Sequence, residues 1–129
     1  SRDGNLLAKE KLCPVIAILR YDSFDDAVAK AKANLLVEGA GHSAALHSDN
    51  EDHIQRAGLE LPISRLVINQ PSSLTAGGSL TNGFAPTTTL GCGSWGGNSI
   101  SENLDYKHLM NISRIGKIIP DKIVPTDIQ

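Results

Sequence analysis

The first half of the chain alternates apolar, strand-like runs with amphipathic, helix-like segments. CPVIAILRY (13–21) is a nearly continuous apolar run with β-branched residues, which is typical of a strand covered on both faces. SAALH (43–47) and SRLVINQ (64–70) predict two further strands. Strands that alternate with helices form an α/β layer whose crossover connections make neighbouring strands parallel. The sequence therefore predicts an α/β fold with a mostly parallel sheet.

Helices are predicted between these strands. Ser23 can cap a helix that ends at Gly39, and its apolar residues recur at helical spacing: Phe24, Ala27, Val28, Ala31 and Leu35. A second helix is predicted to start near Asp49 and to stop at Gly58. Farther along, ENLDYKHLMN (102–111) predicts a short helix and ISRIGKII (112–119) another strand, before a proline-punctuated tail.

The second half opens with a long uncharged segment. From Leu66 to Ser101 there is no Asp, Glu, Lys or Arg, and seven of the chain's 12 glycines fall between Gly77 and Gly97. A connection this long is uncommon inside a compact domain and is usually functional or disordered. Because it carries apolar side chains and no net charge, we expect an ordered, packed loop, with a flexible neutral linker as the alternative. Glycines in LGCGSWGGNSISEN (90–103) would let a ligand approach the backbone closely.

Composition excludes several classes of partner. The 129 residues fit one domain, and a formal charge of -2 gives no electrostatic reason to expect nucleic acid or an anionic membrane surface. No run approaches the roughly 18 apolar residues of a membrane helix, so we expect a soluble, cytoplasmic protein. Cys13 and Cys92 have neither the number nor the spacing of a disulfide scaffold or a zinc site, and no metal site is predicted.

Four separated stretches resemble one family, the CoA-acylating aldehyde dehydrogenases. In order, they are EKLCPVIAIL, VEGAGHSAALHSDN, PISRLVINQP and PTTTLGCGSWGGNSISENLDYKHLMNISRIG, and the resemblance runs from about Leu7 to Gly116. Within the family, the stretches LPISRLVINQP and TAGGSLTNGFAPTTT are most similar to the branch that acts on succinic semialdehyde. The resemblance implies the C-terminal part of a three-layer α/β enzyme, with residues 1–116 in a catalytic and oligomerisation region and residues 117–129 as a tail.

The resemblance also implies a reaction and its partners. A cysteine thiolate attacks an aldehyde, NAD or NADP takes a hydride, and the thioester is passed to CoA. The family's dinucleotide-binding half and its nucleophilic cysteine precede the EKLCP motif, so the nucleophile is not expected in this chain. The family also implies a homo-oligomer that pairs through the C-terminal strand, here ISRIGKII.

Two residues carry over from the family's motifs. Glu10 matches the glutamate that accepts hydrogen bonds from the nicotinamide ribose, although alone, between Lys9 and Lys11, it is typical of a solvated surface charge. His42 matches a histidine on the CoA side of the active site, where an imidazole could take the proton of the CoA thiol. The alternative interpretation is that His42 is a structural histidine at the start of a strand.

The glycine-rich loop is predicted to line the thioester and the incoming CoA through five residues: Gly91, Cys92, Gly93, Ser94 and Trp95. Cys92 is flanked by glycines, whose exposed backbone amides could stabilise a thiolate. The resemblance places the nucleophile elsewhere, and a small buried thiol under the loop is the preferred interpretation. Cys13 is predicted to be in the core, and Trp95 to be a core anchor or a wall of the substrate pocket. The other histidines, at positions 47, 53 and 108, are predicted to have surface or capping roles.

Two functions remain open at this stage. One is part of a CoA-acylating aldehyde dehydrogenase, which is inactive without its other half. The alternative is a non-catalytic α/β fragment or truncated copy that acts at most as a binding or assembly module.

Overall fold

The computed structural model describes residues 9–121. Its elements follow the order α1 (Phe24–Leu35), β1 (Gly41–Leu46), α2 (Glu51–Glu60), β2 (Ile63–Ile68) and the single-turn helix α3 (Ser72–Thr75). Two short 3₁₀ helices follow at Ser94–Gly96 and Tyr106–Leu109. Within residues 9–121, no helix is both long enough and apolar enough to cross a bilayer.

The two strands confirm the predicted parallel α/β arrangement. β1 pairs with β2 in parallel, with Ser43 opposite Arg65 and Ala44 opposite Leu66. The crossover between them is α2, as parallel pairing requires a connection that returns the chain to the same end of the sheet. Both predicted strands are therefore confirmed, with bounds shifted by a few residues.

Side chains of alternate residues divide the sheet into two faces. Ala44, Leu46 and Leu66 pack against the core that α1 and α2 form around Val28 and Ala57. Because strand side chains alternate, Ser43 and Arg65 lie on the opposite face. The helices thus cover one face, and the later part of the chain contacts the sheet through α3 and the first 3₁₀ helix.

Local signals set the helix boundaries, with one correction. Ser23 caps α1 by accepting from the amide of Asp26, as predicted, and α1 ends at Leu35, with Gly39 at a φ of 100° in the turn that follows. The stop predicted at Gly58 is wrong, because α2 continues through Gly58 to Glu60. Pro62 explains this end, since the residue before a proline is driven out of the helical region, and Leu61 has a ψ of 133°.

Asn50, rather than Asp49, caps α2. Its Oδ1 accepts from the amides of Asp52 and His53 at 2.9 and 3.3 Å. We expect Asn50→Ala to cost about 1 kcal/mol and therefore to speed hydrogen exchange of these two amides about fivefold. Amide exchange measured by NMR or mass spectrometry tests this, with the exposed Asn111→Ala as the matched control. Equal exchange in both variants would contradict the capping role.

Within the described residues, two predicted strands and one predicted core residue are wrong. The run 13–21 and the run 112–119 form no strand, and their apolar side chains are exposed, Ile16 by 83% and Ile118 by 94%. A strand is stable only when another strand satisfies its backbone groups, and within residues 9–121 β1 and β2 pair only with each other. Cys13 is exposed for the same reason and is not in the core.

Beyond β2 and α3, the uncharged segment is a loop ordered by hydrogen bonds, as predicted, although the apolar side chains of Leu80 and Trp95 are exposed and do not pack it. The amide of Thr87 donates to Gly77 O at 2.8 Å, and Leu90 forms an antiparallel bridge with Asn103. The buried amide of Asn103 donates to Ala76 O at 3.0 Å and to Ala85 O at 2.8 Å, which joins two turns of the loop. Only Tyr106–Leu109 of the helix predicted over 102–111 is helical, as a 3₁₀ turn. From residue 122 onwards, the predicted tail lies outside the described residues, as does the start of the resemblance before residue 9.

Candidate functional site

The glycine-rich loop packs on the first residues of β1, directly beside His42. Gly41 has a φ of 79°, and its Cα faces the backbone carbonyl of Cys92 so closely that a Cβ would overlap that oxygen. A Cβ on Gly96 would likewise lie 3.0 Å from Ala40 O. The absence of side chains at these two glycines therefore allows the loop and the strand to meet backbone to backbone.

Internal hydrogen bonds fix the loop in this position. The amide of Gly93 donates to Ile100 O at 2.9 Å, and the amide of Cys92 donates to Asn98 Oδ1 at 3.1 Å. The Cys92 thiol is only partly buried, its Sγ lying 4.0 Å from Leu90 O. Trp95 is 56% exposed, so the prediction of a core anchor is wrong for the described residues.

A cavity of about 950 Å³ brings together Glu10 and His42, the two side chains singled out in the sequence. Glu10 is exposed, and its backbone amide donates to Glu38 Oε2 at 2.6 Å. The remaining wall comes from Asn34, Glu38, Gly39 and most residues of the run 9–19. Glu10 and His42 therefore line the same cavity.

A second cavity, of about 620 Å³, also has His42 in its wall. Hydroxyl side chains make up half of the rest of its lining, and no Asp, Glu, Lys or Arg contributes to it. They come from three places in the sequence: Ser43, Ser72 with Ser73, and Thr87 with Thr88. Sequence reasoning missed this cluster, although the SS and TTT runs beside the glycines were its visible signal. His42 thus lies between two cavities, of which the first has charged side chains in its wall and the second has none.

Arg65 is a buried cation behind the second cavity. Its side chain lies between the two strands, and the residue is 3% exposed. Nε donates to Ser43 Oγ at 2.9 Å, and Nη2 donates to Gly41 O at 3.4 Å. Nη1 is buried without a hydrogen-bond partner among residues 9–121, where Arg65 also forms no ion pair. The sequence analysis did not single out Arg65, because one charge in an apolar strand usually faces solvent.

The remaining histidines lie away from both cavities. His53 stacks on Phe24 with ring centroids 3.8 Å apart, and His47 is exposed. His108 Nδ1 accepts from the amide of Asp105 at 2.9 Å, which completes a capping box. Hydrogen bonds from Lys107 and then from His108 hold the pKa of Glu102 below its usual range. His47 and His108 therefore have the surface and capping roles that were predicted, whereas His53 is half-buried against Phe24.

The fold is that of part of an aldehyde dehydrogenase. The structure matches the crystal structure of a probable aldehyde dehydrogenase from Listeria monocytogenes EGD-e with a TM-score of 0.81 and 37% identity, over 88% of this chain and 25% of that one. In sequence, the chain is 62% identical over 124 residues to succinate-semialdehyde dehydrogenase (acetylating) from Clostridium kluyveri, covering 96% of this chain and 27% of that protein.

A second relative carries a different substrate in its name. The chain is 40% identical over 114 residues to sulfoacetaldehyde dehydrogenase (acylating) from Cupriavidus necator, covering 88% of this chain and 23% of that protein. No family model matches the chain. The chain therefore spans about a quarter of the length of these two relatives. These similarities confirm the resemblance to acylating aldehyde dehydrogenases, enzymes of which this chain corresponds to a small part.

Proposed function

We propose that these residues form part of a CoA-acylating aldehyde dehydrogenase whose preferred substrate is succinic semialdehyde. The reaction is aldehyde plus CoA thiol plus NAD(P)⁺ to acyl-CoA, NAD(P)H and a proton. The observation that supports it best is the 62% identity to an acetylating succinate-semialdehyde dehydrogenase, together with His42 between the two cavities. The nicotinamide, when bound, supplies the hydride acceptor.

Glu10 is proposed to bind the ribose next to the nicotinamide. Glu10 lines the first cavity and is exposed. Its backbone amide already donates a hydrogen bond to the carboxylate of Glu38. An ionised carboxylate only accepts hydrogen bonds, which suits a pair of ribose hydroxyls. The first cavity is therefore proposed as the cofactor side of the site.

His42 is proposed to take the proton from the CoA thiol. The thiolate is the nucleophile that attacks the enzyme-bound thioester, so a base beside the thiol speeds transfer. An imidazole nitrogen can accept that proton and release it to solvent afterwards. His42 is exposed to both cavities and can therefore reach a thiol entering from either side.

The packed loop from Gly91 to Trp95 is proposed to form the wall beside the thioester and CoA. It lies against β1 next to His42, and it carries no charge. A wall without charged groups holds little water, which protects the thioester from hydrolysis. The exposed apolar run 112–119 is proposed to pair with another subunit of a cytoplasmic homo-oligomer.

The test is an assay of the complete natural polypeptide that carries these residues, with its intact mass measured under denaturing conditions. With succinic semialdehyde, CoA and NAD or NADP, we expect nicotinamide absorbance to rise steadily, and to stop after about one turnover when CoA is omitted. The 129-residue chain alone is the control, and we expect it to be inactive. Steady turnover without CoA, or redox activity of the short chain alone, would contradict the proposal.

A further inference from the structure

We propose that the second cavity binds the far end of the aldehyde, and that Ser43, backed by the buried Arg65, selects an aldehyde that ends in an anion. The inference rests on the proposed function and assigns the residues that set its substrate class. The sequence analysis gave neither residue a role in the site.

The first step is the charge of Arg65. A guanidinium that is 3% exposed has lost most of its hydration, which is costly unless an anion or several hydrogen bonds replace the water. Among residues 9–121, its contacts are only neutral oxygens, those of Ser43 and Gly41. The uncharged segment 66–101 that covers this face supplies no carboxylate either. Within residues 9–121, this side of the sheet therefore carries a positive charge that no ion pair compensates.

A hydrogen bond connects the guanidinium of Arg65 to the wall of the second cavity. Ser43 Oγ accepts from Arg65 Nε at 2.9 Å, and Ser43 also lines the cavity. A serine hydroxyl has one hydrogen to donate, and a bond accepted from arginine leaves that hydrogen free. The bond also polarises the hydroxyl, so it donates best to a negatively charged oxygen.

The third step is the fit of the cavity to a small acid. Its volume of about 620 Å³ is in the range of small-molecule sites. The additional hydroxyls of Ser72, Ser73, Thr87 and Thr88 can donate to a carboxylate, and no acidic side chain in the lining repels one. With His42 in the same wall, the reacting carbonyl lies at His42 and the anionic end lies among the hydroxyls.

The experiment compares two four-carbon aldehydes in the complete enzyme. Succinic semialdehyde ends in a carboxylate, and butyraldehyde ends in a methyl group. For Ser43→Ala, we expect the ratio of kcat/KM for the anionic aldehyde to that for the neutral one to fall about tenfold, mainly through KM. Ser43→Thr keeps the hydroxyl and is the matched control, so its ratio should stay close to that of the unsubstituted enzyme.

Arg65 is a positioning residue in this scheme, because it acts through Ser43. Arg65→Gln should lower the same ratio, and combining it with Ser43→Ala should lower the ratio by less than the product of the two single effects. If Arg65→Gln does not fold, the Ala and Thr variants of Ser43 decide the matter. An equal loss with both aldehydes in Ser43→Ala would overturn the inference while leaving the proposed function intact. No CoA-dependent activity in the unsubstituted enzyme would instead overturn the proposed function and, with it, the inference.

Discussion

Replacing His42 with alanine in the complete enzyme is expected to slow acyl transfer to CoA by about 10²- to 10³-fold. The reason is that the CoA thiol would lose the base that stands between the two cavities. Aldehyde oxidation precedes this step and needs no proton from CoA, so we expect it to slow far less. A single-turnover experiment separates the two steps, because the nicotinamide burst without CoA reports oxidation and thioester consumption after CoA addition reports transfer.

His47→Ala is the matched control for this measurement. His47 follows the end of β1, is exposed and lines neither of the two cavities. We expect it to change both steps by less than about twofold, as most surface substitutions do. If His42→Ala slowed oxidation and transfer equally, the histidine would be a structural residue at the strand entrance, which is the alternative that the sequence left open.

The elements that the sequence predicted correctly depend on local signals. The cap at Ser23 and the apolar spacing of α1 lie within one or two turns of the chain, and each strand of the sheet ends in a short apolar run, 44–46 in β1 and 66–68 in β2. The helix end predicted at Gly58 is wrong because a glycine weakens a helix by only about 1 kcal/mol. The proline at position 62 ends α2 instead.

The two wrong strands fail for a non-local reason. The runs 13–21 and 112–119 have strand composition, but composition does not say which strand will pair with them. The structure leaves Ile16 and Ile118 exposed, because no backbone among residues 9–121 pairs with either run. Pairing depends on chain segments far away in sequence, so no reading of the run alone could predict it.

The residues of the candidate site also differ in whether the sequence alone could indicate them. His42, Glu10 and the glycine-rich loop could be proposed from the sequence because they lie in contiguous motifs that resemble those of the family. The hydroxyl-lined cavity could not, because Ser43, Ser72 and Thr87 come together only when the loop folds over the sheet. Arg65 was missed because its burial depends on what covers the strand, and that cover is supplied by the uncharged segment.

The contact between the glycine-rich loop and the strand leads to the other large prediction. In Gly41→Ala, the new methyl group would overlap the carbonyl oxygen of Cys92, and the backbone would have to hold a φ of 79° that a residue with a Cβ rarely adopts. Strain and overpacking together should destabilise this contact by about 3–5 kcal/mol. The loop should therefore separate from β1 and expose its amides to solvent.

Hydrogen exchange of the loop measures that separation directly. The amides of Gly93 and Gly96 donate to Ile100 O and Cys92 O, and both should lose protection in Gly41→Ala. Gly83→Ala is the matched control, because nothing lies within 4 Å of a Cβ at that position and its backbone needs no positive φ. Equal protection in the two variants would mean that the loop is held by other contacts. Loss of protection in Gly41→Ala alone, together with loss of acyl transfer, would instead mean that the wall beside His42 depends on Gly41, the position in β1 where no side chain fits.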